Sequence, residues 1–214
     1  MLKLVIGNKR YSSWSMRPWV ALQSLGVPFE EQVIGLDLPE TAAQIRALSP
    51  AGKLPILQDG ALTVWDSLAI CEYLAEQFPG RGLWPEDAQG RARARAISAE
   101  MHSGFPNLRS DCSMKLLQQI TLPSLRPETR AEAARVAQIW NEALGRSGGP
   151  FLFGKTFGIA DAMYTPVVSR FRSYGLPIDG AAKGYLDAVW NHPAVQAWID
   201  GARKETLRAK RYED

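Results

Sequence analysis

The chain has little of what disulfide-knit, metal-holding or membrane-embedded proteins are built from. Only two cysteines, Cys71 and Cys112, and two histidines, His102 and His192, occur in its 214 residues. Each stands alone in the sequence, which excludes a disulfide framework, a CxxC redox pair and a zinc cluster, so no metal is expected. No apolar run approaches the ~20 residues of a membrane span. The opening MLKLVIG is too short and strand-like for a secretion signal, so no membrane association and a cytoplasmic location are the expectations. Neither sign of charge dominates: 25 Lys and Arg mix with 22 Asp and Glu for a net charge of +3, which argues against a nucleic-acid surface.

What is present suits an ordinary soluble protein, 46% hydrophobic and long enough for one large domain or two small ones. Leu2 to Ile6 reads as a buried strand, followed by a polar, hydroxyl-rich loop, Asn8 to Ser13. A helix follows with Ser15 as the expected N-cap and Pro18 in its first turn, where a missing N–H matters little. Gly26, Val27 and Pro28 stop it, and Phe29 to Ile34 reads as a second strand, giving a βαβ unit with parallel strands. Residues 40 to 48 form a weaker helix. Pro55-Ile56-Leu57, Asp59-Gly60 and Ala61 to Trp65 then make a hairpin, and a helix capped at Asp66-Ser67 runs to about Gln77.

The segment 79–85, PGRGLWP, reads as a linker. Everything beyond it reads helical: Ala88 to about Leu117 with a break near Gly104 and Pro106, a helix opening at Pro127, another at Gly158-Ile159-Ala160-Asp161, and a last one after His192-Pro193 that enters the basic tail. The expected fold class is therefore α/β and thioredoxin-like (βαβαββα) over 1–78, a linker over 79–87, and an all-α domain over 88–214. Arg91, Arg93 and Arg95 read as a solvated stripe.

The stretch 51–67, AGKLPILQDGALTVWDS, gathers the chemistry. A proline entering a strand marks backbone left unpaired beside it, here at Leu54, where a peptide could pair. The amides of the helix starting at Ser67 would hold a carboxylate. The same features also describe a plain surface hairpin beside an ordinary capped helix.

Tyr11-Ser12-Ser13-Trp14-Ser15-Met16-Arg17, Gly52-Lys53-Leu54-Pro55, Asp66-Ser67 and Gly158-Ile159-Ala160-Asp161, in this order and spacing, resemble the signatures of cytosolic glutathione transferases of serine type, zeta-like and bacterial-like. The resemblance implies glutathione as co-substrate, with Leu54 and a cis Pro55 against its cysteinyl part. Asp66 and Ser67 would hold its γ-glutamyl end, and Lys53 either meets its glycine carboxylate or is a solvated charge. It implies Ser12 as the hydroxyl that stabilises the thiolate, with Tyr11 as runner-up and Ser13 and Ser15 as loop and cap hydroxyls. Serine rather than cysteine at position 12 argues against an omega-like or glutaredoxin-like reductase. Trp14 stands where zeta-type isomerases have cysteine, and Gly158 where many relatives have Ser or Thr.

A homodimer is implied, as is a second, apolar electrophile bound between the domains, where Met101, His102, Phe105, Arg109, Cys112 and Trp14 are candidate lining. The implied activity is glutathione transfer. The alternatives are an isomerase of the maleylacetoacetate isomerase type, in which Arg109 would hold a substrate carboxylate, and a non-catalytic glutathione-binding module.

Overall fold

The computed structural model describes residues 1–121 and 124–209, so the end of the basic tail lies outside the described residues. Four strands and three helices come first: β1 (Lys3–Gly7), α1 (Ser13–Ser24), β2 (Glu30–Ile34), α2 (Thr41–Leu48), β3 (Ile56–Asp59), β4 (Leu62–Trp65) and α3 (Ser67–Gln77). Helices alone follow: α4 (Ala88–Ser103), α5 (Pro106–Asp111), α6 (Pro127–Ser147), α7 (Ile159–Tyr174), α8 (Ala181–Trp190) and α9 (Pro193–Lys204). The sheet order is β2-β1-β3-β4, with β1 parallel to β2 and antiparallel to β3, and β3 antiparallel to β4. This is the thioredoxin-like half followed by the helical half.

β1 is apolar and buried almost throughout because both its faces are covered. Val5, Ile34, Ile45 and Ile56 form a small core where α2 covers one face. The other face joins a single large core that runs through α1 into α7 and α9, so Leu4, Ile6 and Met16 share it with Tyr164, Val168 and Trp198. α1 therefore lies between the two halves, buried from Ser15 to Leu22. Trp19 packs edge-on against Trp198 at 5.3 Å between ring centroids, with the Lys9 ammonium over both rings and paired to Glu31 at 2.7 Å. Partial desolvation strengthens such cation–π contacts.

Four features differ from the sequence reading. α1 is capped by Ser12, not Ser15, because the Ser12 amide already closes a turn onto the Asn8 carbonyl, while the Ser15 hydroxyl turns inward to accept the Gly7 amide. Pro18 consequently sits inside the helix, where it supplies no N–H to the Trp14 carbonyl. The expected helix to Leu117 ends at Asp111, since the chain beyond is held by side chains of α7: Arg170 donates to the Cys112 carbonyl, Tyr174 to that of Ser113 and Ser173 to that of Lys115. α8 is an additional helix, with Ala182, Tyr185, Leu186 and Val189 buried at helical spacing around Gly184. Finally, Arg95 is no bare solvated charge, because it grips Glu72 with two hydrogen bonds of 3.0 and 3.1 Å, and Glu72 also accepts from the Trp84 indole.

The start of α7 rests on Asp161, whose buried carboxylate accepts the amides of Leu152 and Gly158 at 3.0 and 2.9 Å. Burial pushes its carboxyl up to about 6, and those two donors oppose the shift. No side chain caps this helix at Gly158, where an added Cβ would stand 3.0 Å from the Leu83 carbonyl oxygen. Asp161→Ala leaves two amides without an acceptor and is expected to lower stability by about 2–4 kcal/mol, read from the urea midpoint. Asp161→Asn, which keeps one acceptor oxygen, should lose less. A midpoint unmoved in Asp161→Ala would show that the loop finds other acceptors.

Candidate active site

A cleft of about 930 Å³ opens between the sheet's edge and the helical half. Its near wall carries Tyr11, Ser12, Ser13 and Trp14 from the start of α1, Gly52 to Pro55 before β3, and Trp65, Asp66 and Ser67 at the start of α3. Its far wall carries His102 and Arg109, the segment at Ser113 and Met114, and Arg170 from α7. The structure thus brings together every site residue named from the sequence: Ser12, Tyr11, Lys53, Leu54, Pro55, Asp66 and Ser67.

Ser12 takes its position from the loop before it. The Asn8 carbonyl accepts the amides of Tyr11 and Ser12, the Asn8 side-chain oxygen accepts the Leu36 amide at 2.7 Å, and Asn8 donates to the Leu207 carbonyl at 3.3 Å. The loop is thereby tied to the chain after β2 and to the tail after α9. The Ser12 Oγ accepts the Ser15 amide at 3.4 Å and donates to Ser15 Oγ at 2.7 Å. An accepted amide polarises the hydroxyl and makes it a better donor. On the same wall the Leu54–Pro55 bond is cis, and the β3 ladder begins only at Ile56, so Leu54 lies outside it.

Asp66 occupies a left-handed backbone position with φ 74° and caps α3, its Oδ1 accepting the amides of Leu68 and Ala69 at 2.8 and 3.2 Å. Its second oxygen lies 3.1 Å from Nε2 of His102. Burial holds the His102 imidazole below its ordinary pKa, with Asp66 pulling the other way and the charges of Arg17 and Arg109 reinforcing burial. Ser67, the first residue of α3, is buried and its hydroxyl accepts from Arg17 at 3.4 Å.

Arg17, known from the sequence only as a landmark, stands behind this wall at 1% exposure. Burial first, then the charges of Arg109 and Arg170, pull its pKa down to about 9, so it stays charged at neutral pH. The Trp14 ring carries two cations, with the guanidinium carbons of Arg17 and Arg109 at 4.2 and 4.4 Å from its centroid, and meets His102 edge-on at 5.2 Å. Of the five residues of the α4–α5 region expected to line the cleft, His102 and Arg109 do. Met101, Phe105 and Cys112 belong to the core instead. Arg170 was not anticipated, although an arginine just after the apolar run of α7 was a visible signal for it.

The fold and the cleft define a thioredoxin-like domain joined to an all-helical one, with the site on the seam. Family models agree, that of the glutathione S-transferase N-terminal domain matching residues 11–77 and that of the C-terminal domain residues 123–201. A probable maleylacetoacetate isomerase of Caenorhabditis elegans is 36% identical over 173 residues, 78% of each chain. Human glutathione S-transferase omega-2 is 25% identical over 92% of this chain and 75% of its own. Among solved structures, the holo form of a maleylpyruvate isomerase, a bacterial zeta-class glutathione S-transferase, has a TM-score of 0.74 at 25% identity, covering 95% of this chain and 99% of its own. A Burkholderia glutathione transferase homolog shares the fold with a TM-score of 0.73 at 24% identity over the same shares. The chain belongs to the glutathione S-transferase family.

Proposed function

We propose that this protein is a glutathione transferase of serine type and bacterial-like character: it binds glutathione along residues 1–78, stabilises the thiolate with the Ser12 hydroxyl, and adds it to a small apolar electrophile seated against residues 88–214, across the connection at 79–87. The observation that carries this reading is the placement of the Ser12 hydroxyl at the N-terminus of α1, in one cleft with Leu54–Pro55 and Asp66–Ser67. In this reading the Leu54 backbone pairs with the cysteinyl residue beside Pro55, Lys53 meets the glycine carboxylate, Asp66 takes the γ-glutamyl ammonium, and Ser67 its carboxylate.

A thiol with an ordinary pKa near 8.5 is mostly protonated at neutral pH, and only the thiolate attacks well. The Ser12 hydroxyl rotates about its Cβ–Oγ bond to donate to sulfur, and the amino end of α1 adds its field. Together they lower the thiol pKa by about one or two units, each worth ~1.4 kcal/mol. The thiol proton leaves to solvent, the sulfur forms a bond to the electrophilic carbon, and the leaving group departs with the electron pair of the bond it breaks. Ser12 is a donor throughout, never the nucleophile.

A second reading, glutathione-dependent isomerisation, has support in the isomerase relative at 36% identity. There the thiolate adds to a double bond, the adduct rotates, and the thiolate leaves. The tryptophan at position 14, where zeta-type isomerases that resemble this stretch have cysteine, weighs against this second reading. A purely binding module is the weaker reading, because Ser12, Asp66 and Ser67 are all in place. A reducing, cytoplasmic setting suits the two unpaired cysteines. A homodimer goes with this reading.

Three measurements test these assignments. Titrating thiolate absorbance of bound glutathione should show a lowered pKa that rises by about one unit or more in Ser12→Ala; an unmoved value there, with the rise in Tyr11→Phe, would transfer the role to Tyr11. Asp66→Ala should weaken glutathione binding about tenfold, a loss typical of a removed charge-assisted hydrogen bond, and an unchanged dissociation constant would take Asp66 out of the site. Sedimentation over a dilution series should show a dimer, and a monomer at every concentration would remove that part of the proposal.

A further inference from the structure

In the transferase reading Asp66 receives an ammonium, yet its second oxygen already has a partner. Oδ1 is taken by the amides of Leu68 and Ala69, and Oδ2 meets Nε2 of His102 at 3.1 Å across the cleft. The Asp66 side chain keeps 41% of its surface open, so a ligand can reach the same oxygen from the solvent side. His102, in the last turn of α4, also meets Trp14 edge-on and accepts the Arg109 guanidinium at its carbonyl. Its other ring nitrogen, Nδ1, is buried and has no hydrogen-bond partner among the described residues.

These contacts fix the tautomer. A carboxylate only accepts, so Nε2 carries the hydrogen and, in the neutral ring, Nδ1 is bare. A second proton would go to Nδ1, where no acceptor meets it. The charged groups that face the ring are Asp66 from the start of α3, Arg17 from α1 and Arg109 from α5. Burial opposes the imidazolium most, Asp66 alone favours it, and the two guanidiniums side with burial. An ammonium bound at Asp66 cancels the one favourable charge and sets a like charge beside the ring. We propose that His102 is a positioning residue for glutathione: its neutral ring donates to Asp66 and fixes the rotation of the carboxylate that receives the γ-glutamyl ammonium, so the peptide and a second proton on the ring oppose each other. This depends on Asp66 receiving that ammonium, as in the transferase reading. The free protein takes up the proton at a higher pH than the complex does. Affinity is therefore level above the pKa of His102 in the free protein and declines as pH falls through it. Burial holds that pKa under the ordinary imidazole value of about 6.5.

The test uses S-methylglutathione, whose thiol is blocked and whose carboxyl groups ionise well below pH 5. Calorimetry between pH 7 and pH 5 should show wild-type affinity falling about threefold or more at the acid end, with a proton released on binding there, read from buffers of different ionisation enthalpy. His102→Gln keeps a donor for Asp66 and cannot titrate. It should bind within about twofold of the wild type at pH 7 and show neither the acid loss nor the released proton. His102→Ala lacks the donor and should bind about tenfold more weakly at pH 7. His192, the other histidine of the chain, caps α9 and does not line the cleft, so it is no second source for that proton. A wild-type affinity level from pH 7 to pH 5, an acid loss that persists in His102→Gln, or undiminished affinity in His102→Ala would overturn the role of His102 and leave the glutathione reading standing. Absence of wild-type binding at every pH would remove both.

Discussion

The burial of α1 is the constraint on which the rest of this structure depends. A helix shared by the sheet, α3, α7 and α9 has almost no solvent face, so its axis and the position of its first turn are fixed by both halves of the chain at once. Its N-terminus is the one part that opens to the cleft. The Ser12 hydroxyl is therefore held from two sides, by the hydrophobic core that fixes the helix and by the Asn8 loop that leads into it. The same burial brings Arg17 inside, and that charge in turn organises Trp14, Ser67 and the far wall.

Much of the fold was legible in the sequence because its signals are local. Helical periodicity, the Asp59-Gly60 turn, the prolines at 106, 127 and 193 and the glycine-rich break at 79–85 each act within a few residues. Candidate site residues that belong to local punctuation, Leu54–Pro55 and Asp66–Ser67, could be picked out for the same reason, and the structure puts them on the cleft. What was not legible is decided at long range. Ser12, Ser13 and Ser15 are all acceptable caps by propensity, and the choice among them is made by the Asn8 carbonyl and the Gly7 amide. The end of α5 is likewise set by side chains of α7, some 60 residues later, as the 58-residue separation between Arg170 and Cys112 shows. Arg170 itself is hidden in an apolar stretch, because a buried cation's meaning lies in neighbours that a single sequence does not display.

Electrostatics gives the cleft its division of labour. The near wall is made of dipoles, hydroxyls, the Trp14 ring, the Lys53 ammonium and one carboxylate, while the far wall carries the guanidiniums of Arg109 and Arg170. Low exposure lets each cation act at greater strength than it would on the surface. A thiolate bound between these walls would meet the field of the Arg109 and Arg170 guanidiniums on one side and of the amino end of α1 on the other.

The hydrogen bonds from the Lys9 and Arg10 amides to Glu205, and from the Trp198 indole to the Lys9 carbonyl, join parts of the chain 196, 195 and 189 residues apart. During synthesis the amino-terminal half leaves the ribosome first, yet the loop leading into Ser12 lacks these partners until Trp198 and Glu205 have emerged. The nascent chain would carry the sheet, the cis proline turn and the α3 cap well before it has a rigid seat for its hydroxyl. The rigid seat of the Ser12 hydroxyl is thus built only once α9 and Glu205 have been made, because α1 and its loop take their positions from them.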